Sequence, residues 1–166
     1  MTKTLTLDDA LDITRKHSYE GSIDDIVTLS LTISRSKKVF DKSIYKIYTE
    51  KSNINPKIYS NLKKIGDTMD DLPIDAREEV CRSFPPHYRT IYSLCSLRPD
   101  EIQIAVKKKS ITKDMSYRES EYLVKQIRFP SKLVTETDKG RWSKKQEHLY
   151  SIFRSTDVYL GGERTY

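Results

Sequence analysis

Residues 41–66 read DKSIYKIYTEKSNINPKIYSNLKKIG, and the way this stretch divides decides the fold. In its first part, Ile44, Ile47 and Tyr48 fall on one face of a helix that Asp41 can cap. In its second part, Ile58, Leu62 and Ile65 recur at helical spacing. Between them, Ser52–Ile54 makes a turn of about three or four residues, and Asn55-Pro56 restarts the chain. Asn at a cap with Pro at the first helical position is a preferred helix start, because proline's missing N–H would have no partner there anyway. Gly66 is placed to end the second helix. The stretch therefore predicts a helix-turn-helix. With its aliphatic stripe turned inward, Lys57, Tyr59, Ser60, Asn61, Lys63 and Lys64 are expected to face largely outward.

Charge follows the same division. The chain has 166 residues and a formal net charge of +6. Residues 31–66 hold nine Lys or Arg (Arg35, Lys37, Lys38, Lys42, Lys46, Lys51, Lys57, Lys63 and Lys64) against Asp41 and Glu50. Residues 67–84 reverse the balance, with six acids against Arg77 and Arg82. The basic surplus thus belongs to the segment that carries the helix-turn-helix pattern. A polyanion attracts such a surface through phosphate neutralisation and counterion release. Asn, Ser, Lys and Tyr are the side chains that can meet base edges.

The rest of the chain reads as helices as well. Ser22 with Asp25 forms a capping box ahead of IDDIVTLSLTISRSKKVF, and Ser116 with Glu119 forms another ahead of YRESEYLVKQIR. The β-branched residues from Ile26 to Ile33 would also suit a strand, but their neighbours on both sides read as helix. DTMDDLP, residues 67–73, reads as an acidic connector with Asp70 and Asp71 in water. Asp75 caps the next helix, and Pro85-Pro86 stops it. Only 5 glycines are present, which favours helices over a sheet rich in turns. The expected fold is an all-α multi-helix bundle of about seven helices. It is divided into residues 1–130, with the helix-turn-helix, and residues 131–166, a C-terminal amphipathic helix and tail. In that last helix Trp142, Leu149, Ile152 and Phe153 form an apolar stripe that can dock a partner protein or fold back on the body.

Two segments carry a family resemblance. IDDIVTLSLTISRSKKVFDKSIYKIYTEKSNINPKIYSNLKKIG resembles the N-terminal part of small phage, plasmid and bacterial proteins, where a helix, a turn and an S-x-L-K-x-I-G helix follow in this order. FPPHYRTIYSLCSLRPDEIQIAVKKKSITKDMSYRESEYL is similar to the segment that follows the helix-turn-helix in ParB-like proteins. The likeness covers roughly residues 26–128. It implies DNA binding through residues 55–65, but neither partition nor CTP use. The chain departs from the family where Lys109 stands in place of a glycine.

The expected function is therefore binding of double-stranded DNA, in the manner of a phage or plasmid regulator. Lys57, Tyr59, Ser60, Asn61 and Lys64 would enter the major groove, and Lys37, Lys38, Lys42 and Lys63 would hold phosphates. A homodimer would place two such helices on half-sites about 34 Å apart. The alternative is a small adaptor or inhibitor whose basic face meets an acidic surface of another protein. His17, His87 and His148 lie in no metal-ligand spacing, and no phosphate loop or nucleophile elbow is present, so neither catalysis, metal nor cofactor is expected. Cys81 and Cys95 are not spaced as a metal pair and read as small buried residues of a reducing compartment. No run approaches the roughly 20 apolar residues of a membrane span. The expected location is the cytoplasm: the nucleoid if the host is bacterial, the host cytoplasm if the protein is phage-encoded.

Overall fold

Local signals set most of the helix starts. A computed structural model describes residues 5–129, which form eight α-helices and no strand. They are α1 (Leu7–Lys16), α2 (Ile23–Val39), α3 (Lys42–Lys51), α4 (Pro56–Asp70), α5 (Ile74–Ser83), α6 (Tyr88–Leu94), α7 (Pro99–Lys107) and α8 (Tyr117–Arg128). The all-α bundle is thus present. The expected C-terminal helix, with Trp142, Leu149, Ile152 and Phe153, lies outside the described residues.

Ser22 and Ser116 close reciprocal capping boxes with Asp25 and Glu119, and Thr6 does the same with Asp9. Asp41 accepts from the backbone N–H groups of Ser43 and Ile44, and Asn55 from that of Lys57. One expected cap is corrected. Helix α5 starts at Ile74 after Pro73, so Asp75 sits in its first turn and the cap makes no side-chain hydrogen bond.

The core centres on α2. Helix α4 packs along it, α1 and α5 touch it elsewhere, and α6 joins α4 to α8. Helix α3 rests on α1, and α5 on α7. Because α2 is covered on more than one side, its buried positions spread around it: Ile26, Val27, Leu29, Ser30, Ile33, Ser34 and Ser36. That arrangement explains the strand-like run of apolar residues in its sequence. Leu62, Ile65 and Met69 anchor α4 with no exposed side-chain surface. Each such burial contributes about 1.5–3 kcal/mol, more than a surface ion pair at about 0–1 kcal/mol.

Two expectations about residues 66–73 are corrected. Gly66 does not end its helix; α4 continues to Asp70. Gly66 is buried where α4 crosses α2, and a Cβ there would stand 2.0 Å from the Ser30 carbonyl oxygen and 2.8 Å from Ser34 Cβ. The glycine is needed for close approach of two helices, with the small side chains of Ser30 and Ser34 on the facing side. Accordingly, Asp67 and Asp70 are not part of a solvated connector but belong to α4, where both turn back towards α2.

Candidate nucleic-acid interface

Helices α3 and α4 are joined by residues 52–55, as the sequence predicts. Asn53 takes φ 53, the left-handed region, which Asn tolerates better than most residues. The two helices are held apart by aromatic rings rather than by aliphatic contact alone. Tyr45, Tyr48 and Tyr59 have ring centroids 6.4–6.5 Å from one another. Tyr48 is fully buried, and its hydroxyl shares a 2.8 Å hydrogen bond with that of Thr14. The Tyr59 hydroxyl donates to that of Tyr45 at 3.2 Å. Burial and the Tyr45 neighbour hold the Tyr59 phenol well above its ordinary pKa. Tyr59 therefore wedges the helix pair, half-buried, instead of facing outward as expected.

The remaining expected reading residues separate. Lys57 and Ser60 are exposed, and Asn61 is half-buried beside them on the first two turns of α4. Lys42 and Lys51, at the two ends of α3, are exposed too. Among the described residues, Lys42, Lys51 and Lys57 have no ion-pair partner. Lys37 is exposed, with its amine 4.5 Å above the centre of the Tyr45 ring. This cation–π contact leaves the charge near water.

Three other cations are committed within the chain. Arg35 Nη2 and Lys38 Nζ each lie 2.9 Å from an Asp70 carboxylate oxygen. Lys63 Nζ lies 2.6 Å from Asp67, whose other oxygen accepts from Ser34 Oγ at 2.6 Å. Lys38 and Arg35 hold the Asp70 carboxyl below the usual range. For Asp67, burial acts upward, and Lys63 and Ser34 outweigh it. Lys38 and Lys63, expected on phosphates, are thus neutralised in the free protein by acids from the far end of α4.

Lys64 is the largest correction. Its side chain is half-buried, not outward. The ammonium donates to Ser96 Oγ at 2.8 Å and lies 4.6 Å over the ring of Tyr92. Reaching between α4 and α6, it is withdrawn from the face that Lys57 and Ser60 present. Sequence could not have revealed this, because Ser96 lies 32 residues away.

Another group of lysines lies at and just beyond the end of α7. Lys107, Lys109 and Lys113 are exposed, and Lys109 takes φ 55. A concave cleft of about 590 Å³ opens between the start of α6 and the residues before α8. Arg89 and Lys113 line it, but so do Glu20 and Asp114, so it has no excess of either sign. Cys81 and Cys95 are free thiols; Cys95 is buried, which pushes its thiol up to about 12. No group of three or more His, Cys, Asp or Glu is gathered for a metal ion among the described residues, and no helix there is long and apolar enough to cross a membrane.

No protein-family model matches the chain, and no curated protein or solved structure matches it either.

Proposed function

We propose that the protein binds double-stranded DNA through α3 and α4, as a phage- or plasmid-type regulator would. The observation that carries this reading is the charge division along α4. Its first turns offer Lys57, Ser60 and Asn61, and α3 offers Lys42 and Lys51, which have no ion-pair partner among the described residues, while the acidic end of α4 is tied up by Arg35 and Lys38 of α2 and by Lys63. The N-terminal end of a helix also carries the positive pole of the backbone dipole, which favours phosphate. In helix-turn-helix proteins it is the start of the second helix that meets base edges.

Lys57, Ser60 and Asn61 then read the groove. Lys37, Lys42 and Lys51 hold phosphate, with Lys38 and Lys63 held back by Asp70 and Asp67. The resemblance of residues 26–128 to ParB-like proteins points the same way. Lys109, where the family has glycine, adopts the left-handed conformation that favours glycine. The reading requires neither catalysis nor a cofactor. A homodimer would present two α4 helices to a palindromic site.

Binding of the purified chain to random duplex DNA, measured across a salt series, tests the proposal. Affinity is expected to fall linearly on a log–log plot, by a slope of roughly 0.9 per phosphate neutralised, and selection should enrich particular sequences. A chain that ignores DNA at low salt yet captures an acidic protein would favour the adaptor reading instead.

A further inference from the structure

Lys64 presents an imbalance that the DNA reading does not use. Lys38 of α2 reaches across to Asp70 of α4 at 2.9 Å, and Lys63 meets Asp67 one turn along α4 itself. Lys64, the next residue along, meets only neutral groups: the Ser96 hydroxyl, and the face of Tyr92. A second cation converges there, since Arg128, exposed at the end of α8, donates through Nη2 to the Ser96 carbonyl. Beneath them lie the fully buried Cys95 and the hydroxyl of Thr68, which bonds the Lys64 and Cys95 carbonyls. Among the described residues neither Lys64 nor Arg128 has a carboxylate partner.

Drawing an ammonium out of water is costly unless an opposite charge compensates it. Here burial pushes the Lys64 amine below its ordinary pKa, Cys95 acts upward, and the Arg128 charge adds a smaller downward push, so the two cations repel rather than relieve each other. An ammonium with three donors beside a forked guanidinium is the pairing that oxyanions with several acceptor oxygens satisfy.

We infer that Lys64, Arg128 and Ser96, with Tyr92 as one wall, form a seat for a phosphate group at the junction of α4, α6 and α8. The phosphate has two sources, the free inorganic ion or a nucleic-acid backbone. The backbone source stays open to test because Lys64 stands about 10 Å along the α4 axis from Lys57, with its side chain turned from the face of Lys57 and Ser60 towards α6. The seat itself does not depend on α3 and α4 touching DNA.

The test titrates inorganic phosphate into the full chain at constant ionic strength, with chloride as the control, and follows the Arg128 Nε–H and the Ser96 amide by NMR. Saturable shifts with phosphate and none with chloride are expected. Arg128→Gln should weaken phosphate binding about tenfold or more, with the remaining amide spectrum unchanged. Lys64→Met should abolish the effect; Arg128, being exposed, keeps the test decisive should Lys64→Met fail to fold. Phosphate shifts no larger than those with chloride, or an Arg128→Gln variant that binds phosphate as the wild type does, would overturn the inference. The salt dependence of DNA binding separates the sources. A slope reduced by roughly 0.9 in Arg128→Gln assigns the seat to a backbone phosphate, and an unchanged slope assigns it to the free ion.

Discussion

The two ends of α4 belong to one helix and are handled in opposite ways. At its start, Lys57 and Ser60 stand in solvent, and Lys57 has no ion-pair partner among the described residues. At its end, Asp67 and Asp70 are matched to Lys63, Arg35 and Lys38. Lys63 and Lys64 show the same contrast one residue apart, because a step of one residue turns a side chain by more than a quarter of the helix circumference. Formal charge is therefore a poor measure of presented charge. Of the nine cations in residues 31–66, Arg35, Lys38 and Lys63 are neutralised by Asp67 and Asp70, Lys46 lies 3.9 Å from Glu50, and Lys64 is drawn between helices. What remains of these nine outside ion pairs among the described residues is Lys37 on α2, Lys42 and Lys51 on α3, and Lys57 at the start of α4.

The most severe way to break this contrast is to displace α4 from α2. Helix propensity alone would make Gly66→Ala stabilising by about 1 kcal/mol. The atom in its way is backbone, at 2.0 Å, so the expected sign is reversed. Gly66→Ala should lose about 2 kcal/mol and Gly66→Val about 3 kcal/mol, read from urea midpoints at unchanged slope. A more stable Gly66→Ala variant would contradict the close crossing.

A milder change removes the contrast without moving the helix. Asp67→Asn with Asp70→Asn frees Arg35, Lys38 and Lys63. Stability should change by no more than about 1 kcal/mol, since these pairs are partly solvated. DNA affinity at low salt should rise severalfold, with a steeper salt slope. Unchanged affinity and slope would mean that the three cations never approach phosphate.

The smallest effect is in acid. Asp67 and Asp70 have carboxyls held below their ordinary value of 3.8. A depressed folded pKa gives stability that is fully present above the unfolded value and is lost as pH falls through the folded one. The wild type should therefore lose stability below about pH 4, and the doubly amidated variant should show a shallower decline in that window. Equal acid limbs in thermal melts would sink the assignment of these pairs.

What could be read in the sequence was local. Asp41, Asn55-Pro56, Ser22 and Ser116 mark helix starts because a cap and its target lie within three residues. Ile58, Leu62 and Ile65 mark an inward stripe because helical period is a property of one segment. The crossing of α2 and α4 joins residues more than thirty apart, such as Ser34 with Asp67 and Lys38 with Asp70, and nothing local announces it. Gly66 misleads for a definite reason: a helix end and a close helix contact both exploit the same missing Cβ. Tyr59 follows Ile58 on the margin of the stripe, and only the presence of Tyr45 and Tyr48 decides that its ring turns inward. The i, i+4 spacing of Lys63 and Asp67 was a usable sign that this lysine would be paired.

The central claim is that the opening turns of α4 are the polyanion-binding part of the molecule. Fluorescence anisotropy of a labelled duplex at low salt, comparing wild type with Lys57→Glu, tests it most directly. Lys57 is exposed and without an ion-pair partner among the described residues, so its reversal should leave helical content and the unfolding midpoint within about 0.5 kcal/mol of wild type. DNA affinity should fall roughly tenfold or more, with a shallower salt slope. Full affinity retained by a folded Lys57→Glu chain would contradict the claim.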